Sequence, residues 1–411
     1  MNKHTSKITS KSIQQSGLPN DYKKAIAEYI WNSFDAGASK VSLNYLANEL
    51  GRLEFFKIMD NGEGIHMTTL SDTFGNFLDS NKRDPLNQTT FQKGRKGKGR
   101  FAFSIFANQS IWKTQFIGPE DKILSYQIKI NKSQLQDYET SDTIIVKGKG
   151  TGTTVSFNDF FELSANSISN KEFLDFLARE FGWFLFLNRN KNFQIDINGE
   201  VLSYHDRIAD SEEQIIQIGE DKFKIVFLRW DQKIGDKYFF YFLNQKQKEQ
   251  AKKHTLFNNK AINFHHSLYI SSPFFDSFYE TKNEQLVLAG FEKNQLHPNY
   301  RSLLKTLNSI VSRKEKDYIR DIGAAKLLAD YHQKGIFQEL KGRAEGLENT
   351  IKELYCAEPR IFQSSNAQQS KMIVGLLNIL LASGNGEHIL PLMQSLADLN
   401  DEDVENLGQV L

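Results

Sequence analysis

Apolar and polar positions along the chain follow two rhythms, helical and alternating, and their distribution divides it into three blocks. In the first, residues 1–162, a polar arm (Met1–Asn20) precedes a helical period from Asp21 to about Ala36, with Asp21 as N-cap and Gly37 as the stop. Strand-like runs follow at Val41–Leu46, Leu53–Asp60, Ile111–Ile117, Ile123–Ile130, Thr143–Val146 and Thr153–Phe157. The stretch from Asp60 to Gly94 is polar, of mixed helix and loop character, and Phe101–Ala107 reads as an apolar helix. The second block, 163–311, mixes the two rhythms. Glu172–Leu187 predicts a very aromatic helix, Phe193–Ile197, Phe223–Trp230 and Tyr238–Leu243 predict strands, and Asn244–Lys253 predicts a Gln/Lys-rich polar loop or helix. The third block, 312–411, loses the strand rhythm and reads as helical. No C-cap closes its last pattern, so the expectation is a chain that forms the front part of a longer polypeptide.

Composition narrows this picture. At 411 residues the chain has room for two or three domains, and 39% hydrophobic with 25% charged residues is the balance of a soluble globular protein. The 32 Phe residues are assigned to core and strand positions. A formal net charge of +1 gives no global pull toward nucleic acid, so any such contact needs a local patch. Cys356 stands alone, which excludes an intrachain disulfide and suits a reducing compartment. The polar start lacks a signal-peptide core, and the apolar stretch Ile373–Leu381 is too short to span a bilayer. The expectation is a cytoplasmic protein with no membrane contact.

Four motifs carry the chemistry. Glu28, Asn32 and Asp35 recur at i, i+4 and i+7, which places them on one helix face. Such a face can be merely solvated, but a carboxylate can polarise water and an Asn oxygen can ligate Mg²⁺ beside phosphates. Asp60, at a strand end, precedes Gly62 and Gly64. It can accept from an exocyclic amine while the glycines permit close approach, although Asp-Asn-Gly is also an ordinary turn. Gly94, Gly97 and Gly99 lie among basic residues, including Lys98 and Arg100, and run into Phe101. A glycine-rich loop feeding a helix is an anion site, and a basic surface run is its plainer alternative. The fourth motif, Gly150 to Phe157, contains Thr153 and reads otherwise as a glycine turn before a strand. There is no P-loop signature and no Gly-x-Ser-x-Gly elbow, and His265-His266 lacks partners at metal-ligand spacing.

The order of the motifs, over about residues 21–160, resembles the GHKL family of ATPases: Glu-x-x-x-Asn-Ser-x-Asp-Ala, then Asp-x-Gly-x-Gly, then Gly-x-x-Gly-x-Gly, then Gly-Thr-Thr-Val. The Ala-Gly-Ala after Asp35 and the Gly-Thr-Thr-Val strand look most like the branch of MutL, MORC and the ninety-kilodalton heat-shock chaperone. The resemblance implies an α/β fold. It would comprise a Bergerat α/β sandwich (1–162, with an ATP lid at about 66–93), a mixed α+β transducer-like domain (163–311) and a helical region (312–411). It implies ATP and Mg²⁺ as ligands. Glu28 would be the general base, Asn32 the Mg²⁺ ligand and Asp60 the adenine contact, with Gly62 and Gly64 near the base and Thr153 near adenine. Gly94, Gly97 and Gly99 would cradle phosphates, and Asp35, Lys98, Arg100 and Phe101 would belong to the same nucleotide site. Lys82, Arg83 and Lys93 are lid cations within reach of phosphates, and Lys246, Lys248, Lys260 and Lys282 are transducer lysines among which the pattern does not choose.

The resemblance further implies an ATPase whose output is a nucleotide-gated, ATP-dependent homodimer. Three outputs compete: a DNA-associated ATPase in genome maintenance or defence against foreign DNA, a chaperone-like client clamp, and a kinase or nucleotide-sensing module. Glu28 disfavours the third, because histidine kinases lack that residue. The helical region is the expected place for a further domain or protein partner.

Overall fold

The structure, a computed structural model, describes residues 13, 18–71, 74, 99–148, 150–234, 237–255, 257, 262–279, 293–338, 340, 344–362, 366–397, 399 and 401–411. Helix α1 (Tyr22–Asp35) begins where its cap dictates: the Asp21 carboxylate accepts from the Lys23 amide at 2.9 Å. Ala36 caps its C-terminal end, and Gly37 then turns away with φ +77°, a left-handed conformation suited to glycine. Its apolar stripe, including Ala25, Ile26, Tyr29, Ile30 and Phe34, is buried.

That stripe packs on a nine-stranded sheet. Its strands are β1 (Lys40–Ala47), β2 (Leu53–Asp60), β3 (Ala107–Ile117), β4 (Ile123–Asn131), β5 (Glu139–Thr140), β6 (Ile144–Ile145), β7 (Gly152–Phe160), β8 (Gln194–Ile197) and β9 (Glu200–Val201). The order is β5-β4-β3-β7-β2-β1-β8-β9, with β6 also on β4, and the pairings are antiparallel except β1 with β8. The parallel pair requires a crossover. Helices α2 (Ala165–Ser169) and α3 (Lys171–Leu187) supply it, α3 capped by the Asn170 side chain on the Phe173 amide at 2.8 Å.

Alternation places Val41, Leu43, Phe56, Ile58, Trp112, Phe116, Tyr126, Ile128, Val155 and Phe157 on the buried face. Aromatic rings fill the layer between sheet and helices: Tyr29 meets Phe157 edge-on at 5.1 Å, Trp31 meets Phe181 at 4.7 Å and Phe34 meets Phe184 at 4.8 Å. Ile13, within the otherwise polar arm, is buried in this same core.

A second sheet has the order β10-β11-β14-β12-β13, with β10 (Ile208–Ile218), β11 (Asp221–Trp230), β12 (Phe239–Leu243), β13 (Glu249–His254) and β14 (His266–Ser271). The helical region comprises α4 (Pro298–Tyr318), a π turn at Ile319–Gly323, α5 (Ala324–Gln333), α6 (Leu347–Ala357), α7 (Ala367–Ala382), α8 (Ile389–Leu396) and α9 (Asp401–Val410). Contacts divide the chain into two compact units, Met1–Asp231 with Tyr241–Lys252 and Leu268–Gln295, and Gln232–Phe240 with Lys253–Ser267 and Leu296–Leu411. Among the described residues no helix is long and apolar enough to cross a membrane.

The mixed α/β architecture with a helical C-terminal region follows the expectation, and four local readings do not. Phe101–Ala107 is no α-helix: residues Gly99–Ile105 form a 3₁₀ segment and Ala107 already opens β3. A short link between loop and strand is tightened by i→i+3 bonding, as from the Phe106 amide to the Phe103 carbonyl at 2.9 Å. Asn244–Lys253 contains a strand, β13, whose charged sequence takes that form through pairing with β12. β10 and β14 carried no clear sequence signal. Ten residues of register with β11 impose the extended state on the acidic Ile208–Ile218 segment. The helical region begins at Pro298 rather than at residue 312, since Pro298 sits at the first turn, where proline is tolerated, and α4 runs unbroken through Val311.

Gly152 is the tightest joint in the sheet. Its φ is +143°, and a Cβ there would stand 2.1 Å from the Asp60 carbonyl oxygen. We predict that Gly152→Ala destabilises the protein by about 3 kcal/mol or more, lowering Tm by at least roughly 3–5 °C. A thermal melt of the variant that overlays the wild type would contradict this.

Candidate nucleotide site

The site is built where α1 meets the ends of β2, β3 and β7. Phe56, Ile58 and Asp60 are successive inward positions of β2, so the third of them places a carboxylate where an apolar side chain would otherwise stand. Its oxygens are occupied. Oδ1 accepts from the Gly62 amide at 2.9 Å and the Thr153 amide at 3.1 Å, and Oδ2 accepts from the Ser33 hydroxyl at 3.2 Å. Burial raises the Asp60 pKa above its ordinary value near 3.8, against the opposing pull of these three donors.

The glycines beside it are steric necessities. A Cβ on Gly62 would come within 2.7 Å of the Ala36 carbonyl, and one on Gly64, at φ +77°, within 2.1 Å of the Gln115 carbonyl. The same Ala36 carbonyl accepts from the Glu63 amide at 2.9 Å, which ties the turn to the end of α1. Thr153 is buried, its hydroxyl 3.3 Å from that of Thr114, which in turn accepts from the Ile65 amide at 2.7 Å.

One to two turns back along α1, Glu28 and Asn32 meet the end of the glycine-rich run. A Cβ on Gly99 would lie 3.2 Å from Asn32 Nδ2 and 3.4 Å from Glu28 Oε2. A side chain at residue 99 would crowd both groups, and the glycine leaves backbone and side chains room to share a ligand. Tyr29, between them in sequence, is the clamp. Its hydroxyl donates to the Arg100 carbonyl at 3.1 Å and accepts from the Phe103 amide at 3.2 Å, and burial pushes its pKa far up. Arg100 stacks over Phe101 at 4.4 Å and Phe74 at 5.6 Å; burial lowers its pKa to about 10, which leaves it cationic at neutral pH.

The structure therefore gathers Asp60, Gly62, Gly64 and Thr153 at one end, and Glu28, Asn32, Gly99, Arg100 and Phe101 at the other. Asp35 is exposed and lines a cavity of about 330 Å³ with Trp31, Glu63, Trp183, Lys246 and Lys248. Gly94, Gly97 and Lys98, the lid cations Lys82, Arg83 and Lys93, and Lys260 and Lys282 lie outside the described residues, as does most of the predicted lid. Sequence reasoning passed over Ser33, Tyr29 and Thr114. Ser33 and Tyr29 stood inside a quoted motif without a role, whereas nothing in the chain marks Thr114 before its pairing with Thr153 is known.

The residues present fit a purine nucleotide with a divalent cation. A half-buried carboxylate at one end, and at the other a glycine whose Cβ would crowd an amide and a carboxylate, are complementary to an amine-bearing base, a phosphate chain and its metal.

Residues 20–155 match the family model described as "Histidine kinase-, DNA gyrase B-, and HSP90-like ATPase". No curated protein matches the chain. Among solved structures, the ATPase region of Saccharomyces cerevisiae topoisomerase II is similar at 13% identity and a TM-score of 0.37, over 61% of this chain and 72% of that one. The Aquifex aeolicus MutL ATPase domain complexed with ADP is similar at 16% identity and a TM-score of 0.33, over 62% of this chain and 92% of that one.

Asp60→Asn separates recognition from stability. Asn can keep the acceptor toward the two amides and turn its NH₂ toward the Ser33 hydroxyl, which can accept. The raised pKa means that the folded wild type binds more protons than the unfolded chain between about pH 3.8 and the folded value, so its stability falls as pH rises through that window. We predict that Asp60→Asn is at least as stable as wild type at pH 7, converges with it in acid, and loses adenine-dependent binding. Denaturant titrations at both pH values, with ATP and GTP binding isotherms, test all three; unchanged ATP affinity would remove Asp60 from base recognition.

Proposed function

We propose, from the membership of residues 20–155 in the GHKL ATPase family, that this protein binds ATP with Mg²⁺, hydrolyses it, and uses the cycle as a dimerising switch in a DNA-associated or defence process. The observation that carries the ATPase reading is the meeting of Glu28 and Asn32 with Gly99. Asn32 would hold Mg²⁺ through its amide oxygen, and the ion, when bound, supplies charge neutralisation on the phosphate oxygens.

Glu28 then orients the attacking water and accepts its proton as the oxygen bonds to the γ-phosphorus and the bond to the ADP oxygen breaks. The Gly99 and Arg100 amides would face the charge that develops, and the Arg100 cation, which lies over Phe101 and Phe74, would add positive charge nearby. Asp60, with Thr153 beside it, selects the base by accepting from its exocyclic amine. A nucleotide domain at 1–162 with a lid at about 66–93, a transducer-like domain from 163 and a helical region that opens at Pro298 belong to the same reading. So do roles for Asp35, Gly62, Gly64, Gly94, Gly97, Lys98 and Phe101 at the nucleotide, a cytoplasmic location, and a partner for the helical region.

Two experiments test this. Glu28→Ala should lower kcat by about 10²–10⁴-fold while ATP still binds. Unchanged kcat would exclude Glu28 as the base. The same variant holds ATP unhydrolysed, so its solution mass should double with ATP and stay monomeric with ADP or no nucleotide. A monomer in all three states would refute the switch and leave the ATP site standing.

A further inference from the structure

Tyr29 occupies a position of α1 where packing asks only for an apolar side chain. It belongs to the buried stripe of Ala25, Ile26, Ile30 and Phe34. Its ring meets Phe157 edge-on at 5.1 Å and lies 6.4 Å from Trp112, contacts that a phenylalanine would make as well. The hydroxyl is therefore an addition to the packing, and a buried hydroxyl is unfavourable unless it is hydrogen-bonded.

Both hydrogen-bonding functions of that hydroxyl are used on one short segment. It donates to the Arg100 carbonyl at 3.1 Å and accepts from the Phe103 amide at 3.2 Å. These groups belong to residues i and i+3, the pair that a 3₁₀ turn brings together. One oxygen from α1 thus holds a turn of the Gly99–Ile105 segment at both of its ends. The residue is 3% exposed, and burial raises the phenol pKa, with a smaller push from the Glu28 charge, so the hydroxyl keeps the proton that it donates.

The segment begins beside the groups that would meet the phosphates. A Cβ on Gly99 would stand 3.2 Å from Asn32 Nδ2 and 3.4 Å from Glu28 Oε2. Glu28 and Asn32 are carried by α1, whereas the Gly99 and Arg100 amides come from another element, so the distance between the two sets depends on what joins helix and segment. Tyr29, next to Glu28 in sequence, joins them. The base end is held by other bonds: Asp60 accepts from the Gly62 and Thr153 amides and from the Ser33 hydroxyl. The Ser33 hydroxyl also lies 3.1 Å from the Tyr29 carbonyl, a main-chain contact that a change of side chain leaves in place.

We infer that Tyr29 is a positioning residue for the triphosphate: its hydroxyl sets the Gly99 and Arg100 amides within reach of what Glu28 and Asn32 hold, and it has no part in recognising the base. The inference deepens the ATPase reading above and rests on it. A hydroxyl that merely stabilised the fold would, when lost, weaken every ligand alike. A positioning hydroxyl divides the ligands, because displacing an amide by as little as about 1 Å costs binding and rate only where that amide is used.

The test compares Tyr29→Phe with wild type, on the full chain with Mg²⁺, for ATP turnover and for binding of ATP and of adenosine. The variant keeps the ring and deletes one oxygen. It should bind ATP about tenfold more weakly and lose about tenfold in kcat, with adenosine affinity unchanged. Phe157→Leu trims the ring packed on Tyr29 and leaves the hydroxyl. It should lower Tm and keep the wild-type ratio of ATP to adenosine affinity. Wild-type turnover and ATP affinity in Tyr29→Phe would overturn the proposal, and so would equal losses for ATP and adenosine, or a shifted ratio in Phe157→Leu. Should Tyr29→Phe fail to fold, hydrogen exchange of the wild type decides. ATP should slow exchange of the Phe103 amide and adenosine should not; equal slowing by both, or none by ATP, overturns the proposal. A wild type that binds no ATP removes the ATPase reading together with this one, whereas wild-type binding with an unchanged Tyr29→Phe removes this one alone.

Discussion

One half-buried carboxylate, that of Asp60, organises the nucleotide half of the molecule. Asp60 occupies an inward position of β2 in phase with Phe56 and Ile58, at the strand end, where it is partly withdrawn from water. Desolvating an ionised group costs several kcal/mol unless donors replace the lost water. The replacements come from three separate elements: the Gly62 amide in the turn after β2, the Thr153 amide on β7, and the Ser33 hydroxyl on α1. Meeting that demand fixes the height of α1 over the sheet and the path of the turn. It also fixes the approach of β7, whose Gly152 Cα stands where a Cβ would strike the Asp60 carbonyl. The compensation is incomplete, since burial still raises the Asp60 pKa, and a base amine donating to this carboxylate would supply a further partner.

The glycines express the same constraint in steric form. Gly62, Gly64 and Gly152 each let a backbone approach another more closely than any side chain would allow, and a Cβ on Gly99 would crowd Asn32 and Glu28. The first three bring strand ends and α1 together around Asp60, and Gly99 itself stands against Glu28 and Asn32. A site for a phosphate-bearing ligand needs its amides bare and its polar side chains near, and removing Cβ atoms achieves both. Tyr29 holds the arrangement from below, bonding the backbone of residues 100 and 103 through one buried hydroxyl.

What was legible in the chain divides along physical lines. Helix α1 was readable to within about a residue, because cap, stripe and stop are local chemistry: Asp21 caps, and Gly37 takes a positive φ. Strands β1 to β4 and β7 announced themselves by alternation. The turn after Asp60 was legible because a strand-end Asp followed by two glycines is local turn chemistry in a short window. What stayed hidden was decided at long range. Thr114 matters only because register sets it opposite Thr153, β10 is a strand only because β11 is beside it, and the 3₁₀ segment at Gly99–Ile105 is a strand's leader that local apolar content disguised as an α-helix.

The period of two that made those strands readable also lets one sheet present two chemistries. Thr153 and Thr154 are neighbours in sequence, yet the first contacts Asp60 in the interior and the second stands on the outer face between Lys113 and Met59. Ile58 and Met59, and Trp112 and Lys113, divide in the same way. A slip of one residue in register would exchange the faces, exposing the core and burying the lysines, so the pairing that protects the nucleotide side also keeps the outer side charged. The consequence is mechanical as well as chemical. Strands β2, β3 and β7 are rigid through their backbone ladders, and a ligand that reorders their ends around Asp60 acts on the same strands whose opposite side chains form the outer face. Any coupling between the two faces has no need of a long path, because it crosses a single layer of backbone.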